Sequence, residues 1–107
     1  MKELQFLLYS TPQDNIKVDV VVKDDTIWLS QKDMGLLFDV SIPSISRHLK
    51  NIFEDKELIE DSTITKIEIV QQEGNRIIER ELVFYNLDAI ISVGYRVSSR
   101  FFQTLFF

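Results

Sequence analysis

Apolar residues along the chain recur with two different periods, and the change of period divides it into parts. Leu4 to Tyr9 is a short apolar run that predicts a first strand, closed by the turn residues Thr11, Pro12, Asp14 and Asn15. From Ile16 the pattern alternates. Ile16, Val18, Val20 and Val22 fall on one side and Lys17, Asp19, Val21 and Lys23 on the other, the period of a half-buried strand. Asp24 and Asp25 then form a short acidic turn, and Thr26 to Leu29 completes an antiparallel meander. Trp28, the only tryptophan, is expected to pack where this sheet meets the first helix.

Beyond Leu29 the period lengthens to that of a helix. Ser30 is placed to cap a helix whose apolar residues are Met34, Leu37 and Phe38, with small Gly35 between them to admit a close neighbour. Asp39 and Val40 interrupt the pattern. Ser41 is a second cap, followed by Pro43 in the first turn, where a missing N–H costs least. Ile42, Ile45, Leu49, Ile52 and Phe53 then form an apolar stripe, while Ser44, Ser46, Arg47, Lys50 and Asn51 occupy the opposite face. Two helices joined by a tight turn, the second polar on its outward side, have the layout of a helix-turn-helix. Asp39 stands where such turns often have glycine, and His48 where a core aliphatic residue is usual; a helical hairpin that only packs a core has the same spacing.

The second half returns to strands. Glu54 to Asp61 carries five acidic residues and one lysine around Leu58 and Ile59, which reads as a solvated loop. Ile64 to Gln71 and Arg76 to Tyr85 are β-rich runs, separated by a segment in which Gly74 and Asn75 are suited to positive φ. A hairpin in this place reads as a wing, with Lys66, Arg76 and Arg80 as possible wing contacts to DNA. Those cations are interleaved with Glu68, Glu73, Glu79 and Glu81, so cross-strand ion pairing is the competing reading. Asn86 caps a last helix, Leu87 to Val97, so apolar around its circumference that it should be covered on several sides. The expected architecture is α+β: a winged helix-turn-helix domain over residues 1–100, with an N-terminal antiparallel β-meander and a C-terminal helix. Residues 101–107, FFQTLFF, form an atypical apolar tail.

Composition narrows the possibilities. At 107 residues the chain is about one domain. With 45% hydrophobic and 27% charged residues and few glycines and prolines, it has the make-up of a globular protein. The absence of cysteine removes disulfides and thiolate metal sites. No apolar run approaches the roughly 18 residues of a membrane span, and no signal-peptide pattern opens the chain, so a cytoplasmic location is expected. The formal net charge of −5 opposes long-range attraction to phosphate, which makes the local distribution of charge decisive.

Two stretches together resemble a known family. Ile27 to Leu58, IWLSQKDMGLLFDVSIPSISRHLKNIFEDKEL, and Phe84 to Arg100, FYNLDAIISVGYRVSSR, are similar in order and spacing to the virulence-associated RhuM family of bacterial proteins. The second is the more specific, through Tyr85-Asn86-Leu87-Asp88 and Gly94-Tyr95-Arg96-Val97. The resemblance implies a DNA-binding protein and supplies no catalytic set. Family members continue after this segment into a Gly-Thr loop and a helix with a Phe-Arg-x-Trp-Ala motif. Here FFQTLFF stands instead, the mark expected of a shortened or frame-shifted product.

Three functions compete. In the first, the chain binds double-stranded DNA in a regulatory role through the helix of about residues 42–53, with Ser44, Arg47, His48 and Lys50 at bases and phosphates, and Ser41, Ser46 and Asn51 as further phosphate donors. The segment Ser41 to Phe53 holds two formal positive charges and no negative one, so its local field has the required sign. The second is a protein-interaction or homodimerisation module that uses the apolar 87–97 helix and the tail. The third, an enzyme, lacks support: His48 has no acidic or thiol partner at triad or metal spacing, and no glycine loop cradles phosphate. No catalytic residue, metal or cofactor is expected.

Overall fold

The computed structural model describes residues 5–10 and 17–97, with side chains from Val18 to Val97. The turn expected at Thr11 to Asn15 and the tail from residue 98 lie outside the described residues. The elements run β1 (Gln5–Ser10), β2 (Lys17–Lys23), β3 (Thr26–Leu29), α1 (Gln31–Phe38), α2 (Ile42–Glu54), α3 (Glu60–Thr63), β4 (Ile64–Glu73), β5 (Arg76–Asn86) and α4 (Leu87–Val97). The fold is α+β. All five strands form one antiparallel sheet in the order β1-β2-β3-β5-β4, so the late hairpin joins the early meander through Trp28↔Asn86 and Leu29↔Tyr85.

Local chemistry explains the connections. Lys23 pairs with Thr26 across a two-residue loop in which Asp24 and Asp25 both have positive φ, the requirement of a type I′ turn. Glu73 pairs with Arg76 across Gly74-Asn75, where Gly74 alone has positive φ; Asn75 does not share it, which corrects the expectation for that position. The segment after α2 is also more ordered in path than a solvated loop. Lys56 takes positive φ, its N–H donates to Phe53 O and that of Glu57 to Ile52 O at 3.0 Å, a Schellman closure of α2. Glu60–Thr63 then makes one helical turn, tied by Thr63 Oγ1 donating to Ile59 O at 2.6 Å.

The sheet has a core on each face. On the helical side, Val18, Leu29 and Tyr85 pack with Met34 of α1, Ile45, Leu49 and Ile52 of α2, and Ala89, Ile90 and Val93 of α4. On the other side, Val21, Trp28, Ile67 and Phe84 form a second cluster built from strands alone among the described residues. Successive strand residues point to opposite faces, so Leu29 and Tyr85 belong to one core while Trp28 and Phe84 belong to the other. The sheet curls about this second face, drawing Val21 of β2 and Ile67 of β4 around Trp28 and Phe84 on the strands between them.

Two sequence expectations are corrected here. Trp28 lies on the face away from α1, with its Nε1–H donating to Lys23 O at 3.0 Å and the Lys23 ammonium 5.3 Å from the ring centroid. β2 is not half-buried, because Val18 and Val21 are both buried on opposite faces. A third correction concerns α4. It buries Ala89, Ile90, Val93 and Gly94 against the domain and leaves Leu87, Ile91 and Tyr95 exposed, so it is covered on one side among the described residues.

Candidate nucleic-acid interface

The pair α1–α2 is joined by the three residues Asp39–Ser41. Asp39 takes the left-handed conformation with φ 56°, ending α1, and Val40 N–H returns to Gly35 O at 3.0 Å. This return brings the chain so close that a Cβ on Gly35 would stand 2.8 Å from the Val40 carbonyl oxygen. The small residue in α1 is therefore what lets the turn close. At the other end of α1, Ser30 Oγ accepts from Asp33 N–H and donates to Asp33 Oδ2 at 2.8 Å, while Asp33 Oδ1 accepts from Asp19 N–H. The buried Asp33 thus fastens α1 to β2.

Ser41 caps α2 by accepting from Ser44 N–H at 3.2 Å, which leaves its own O–H able to donate outward. Ile45, Leu49 and Ile52 face the core, whereas Ile42, expected in the same stripe, is 48% exposed at the start of the helix. Ser46, Arg47 and Lys50 are exposed; Ser44, His48 and Asn51 are half-buried. At 100° per residue, Ser44, Arg47 and Asn51 form one outward row and Pro43, Ser46 and Lys50 a second beside it. On one flank of the helix, Ser46 and Lys50 border an open cleft of about 330 Å³ shared with Gln31, Phe53, Glu60 and Tyr85. On the other flank, His48 lies toward Arg96 of α4.

Ion pairing changes the charge of this surface. α2 extends one residue beyond the expected Phe53, and that residue, Glu54, lies 3.9 Å from the Lys50 ammonium. The helix therefore carries one net positive charge instead of two. Arg47 has no acidic partner among the described residues. In the hairpin, Arg80 is held by Glu73 at 2.8 Å, so this wing cation is occupied, while Lys66 and Arg76 are exposed with no ion pair among the described residues. Arg96 binds Glu57 at 3.1 Å and Asp55 at 3.5 Å, clamping α4 to the closure of α2. No local sequence signal joined Arg96 to these acids, because the pair spans about forty residues of chain. Asp33 was legible in principle, being three residues after a serine cap.

The pKa of His48 is held below its usual 6.5, first by burial and then by the positive charges of Arg47 and Arg96. The unfolded chain accordingly takes up this proton before the folded one does. Stability retained above about pH 6.5 is lost as pH falls through the unfolded-state value toward the lower folded one. The melting temperature should therefore drop between about pH 7.5 and about pH 5.5, and His48→Gln should flatten that drop. An equal drop in both proteins would show that the histidine is not the group responsible. Glu57, whose pKa is lowered by hydrogen bonds from Ser92 and Arg96, adds an acid sensitivity of the same sign at lower pH.

The fold is an α+β domain in which α1 and α2, joined by a three-residue turn, pack on one face of a curled antiparallel sheet. Residues 62–105 of this domain match the family model of the Virulence protein RhuM family. The match takes in the end of α3, the β4–β5 hairpin and α4, and so includes the resemblance seen in Phe84 to Arg100. It also runs into the apolar tail. The α1–α2 pair lies outside it. No curated protein and no solved structure matches the chain. Among the described residues, no helix is long and apolar enough to cross a membrane.

Proposed function

We propose that the chain binds double-stranded DNA, without catalysing a reaction, by laying the outward face of α2 in the major groove as part of a winged helix-turn-helix. The observation that carries this reading is Arg47: exposed on the outward face, in the row of Ser44 and Asn51, and free of acidic partners among the described residues. The connectivity supports the wing. β3 precedes the helix pair, the β4–β5 hairpin follows it, and β5 returns between β3 and β4. Ser44, Ser46 and Lys50 stand beside Arg47 as further donors, Ser41 at the capped helix start as a phosphate donor, and His48 at the flank. Of the wing cations, Lys66 and Arg76 are the accessible pair. In this reading the protein acts in the cytoplasm, and virulence-associated regulation is the setting consistent with the family match.

With so few cations, binding should be weak and its salt dependence shallow, with a log–log slope of about −2. In a fluorescence-anisotropy titration of a labelled mixed-sequence duplex at low salt, Arg47→Ala should weaken binding by about tenfold or more, and by more than Lys66→Ala does. Equal affinity of the wild type and the Arg47 variant would remove α2 as the recognition helix. A second reading, a protein-interaction module, is favoured by α4, where Leu87, Ile91 and Tyr95 expose an apolar row at i, i+4 and i+8. It fits an apolar protein surface as partner. Absence of DNA binding at low salt, together with association abolished by Ile91→Lys, would select it.

A further inference from the structure

β4 ends the sheet. Its ten residues, Ile64–Glu73, pair with β5 on one side only, and no backbone hydrogen bond from another described element reaches the outer edge. An open edge of this length is normally blunted by proline, by a covering element or by charges that repel a second strand. β4 has no proline, and its charges are of both signs. Lys66 and Glu68 lie two residues apart, hence on the same face, together with Ile64 and Val70. Val70 is 62% exposed.

Two copies of β4 can pair antiparallel about a two-fold axis perpendicular to the sheet, which keeps the faces of both sheets matched and places one residue on the axis. With Lys66 or Glu68 on the axis, that residue meets its own charge. With Ile69 on the axis, Lys66 meets Gln72 and Glu68 meets Val70, leaving both charges unpaired. With Ile67 on the axis, Lys66 meets Glu68 of the second copy, Glu68 meets its Lys66, and Ile64 and Val70 cover one another twice. We propose that this edge joins a second copy of the chain in the Ile67-centred register, making one continuous sheet through the dimer.

The test is the association state measured by sedimentation velocity over a concentration series. Lys66→Glu and Glu68→Lys each set like charges against one another at both crossings, and each should weaken the dimer at least about tenfold. Mixing the two single variants should restore dimers, because the mixed pair brings opposite charges together at both crossings. The double exchange Lys66→Glu with Glu68→Lys should restore them within one chain. Recovery on mixing also excludes misfolding as the cause of the loss. A wild type that stays monomeric at concentrations on the order of 100 μM would overturn the proposal. So would a dimer indifferent to both charge reversals, or one lost to Ile91→Lys alone.

Discussion

Trp28→Ala should destabilise the domain by about 3–5 kcal/mol, the range for removing a buried aromatic side chain, and lower its melting temperature by on the order of 15 °C. Trp28 is 7% exposed in the core built from strands alone, and among the described residues no helix is placed in that cluster to fill the space it leaves. The loss also takes away the hydrogen bond to Lys23 O. Since a domain of this size has a total stability of about 5–15 kcal/mol, a substantial unfolded population is expected on mild heating. A double-mutant cycle locates the ring. Trp28→Ala should be coupled with Ile67→Ala, its neighbour in the cluster, and additive with Met34→Ala, which belongs to the core on the opposite face. Coupling to Met34 instead would return Trp28 to the helical side of the sheet.

Gly35→Ala is the second large effect. Alanine is the better helix former by about 1 kcal/mol, so on propensity alone the change would stabilise α1. The added methyl, however, meets the Val40 carbonyl oxygen at 2.8 Å, and that atom belongs to the turn backbone and cannot swing aside. Relief requires the turn to open and α2 to move. A net destabilisation of about 1–2 kcal/mol in urea unfolding is expected, overpacking outweighing propensity. Gly94→Ala supplies the contrast, because its methyl would meet the Phe38 ring at 3.0 Å, a side chain that can turn. It should cost less. If DNA binding by α2 holds, Gly35→Ala should also weaken it well below the concentration at which the protein unfolds, since the helix would be displaced in the folded state. A variant as stable as the wild type would mean that the turn is looser than this geometry requires.

What could be read before folding was local. Ser30, Ser41 and Asn86 cap the helices that follow them, as their hydroxyl and amide groups suggested, and Asn86 Oδ1 accepts from Ala89 N–H at 3.1 Å. The turns at Asp24-Asp25 and Gly74-Asn75 fall where residues tolerant of positive φ stand between β-rich runs. Ile45, Leu49 and Ile52 were recognisable as the buried row of α2 from their spacing alone. What misled was the alternation of Ile16 to Lys23, which read as a strand buried on one face only. A flat sheet would leave Val21 and Trp28 without cover on the side away from the helices. Curling closes that side, and curling is a property of five strands together, invisible in the alternation of any one.

The candidate interface divides in the same way. The sequence alone determined its frame: a capped second helix with an apolar row inward and Ser44, Arg47, Lys50 and Asn51 outward, because period and capping depend only on residues within a turn or two. Its charge was decided elsewhere. Glu54 extends α2 and pairs with Lys50, Glu73 reaches Arg80 across the hairpin, and Arg96 returns from α4 to Asp55 and Glu57. Electrostatic attraction acts through space, so which cations remain for a ligand was settled only when distant carboxylates were brought beside them.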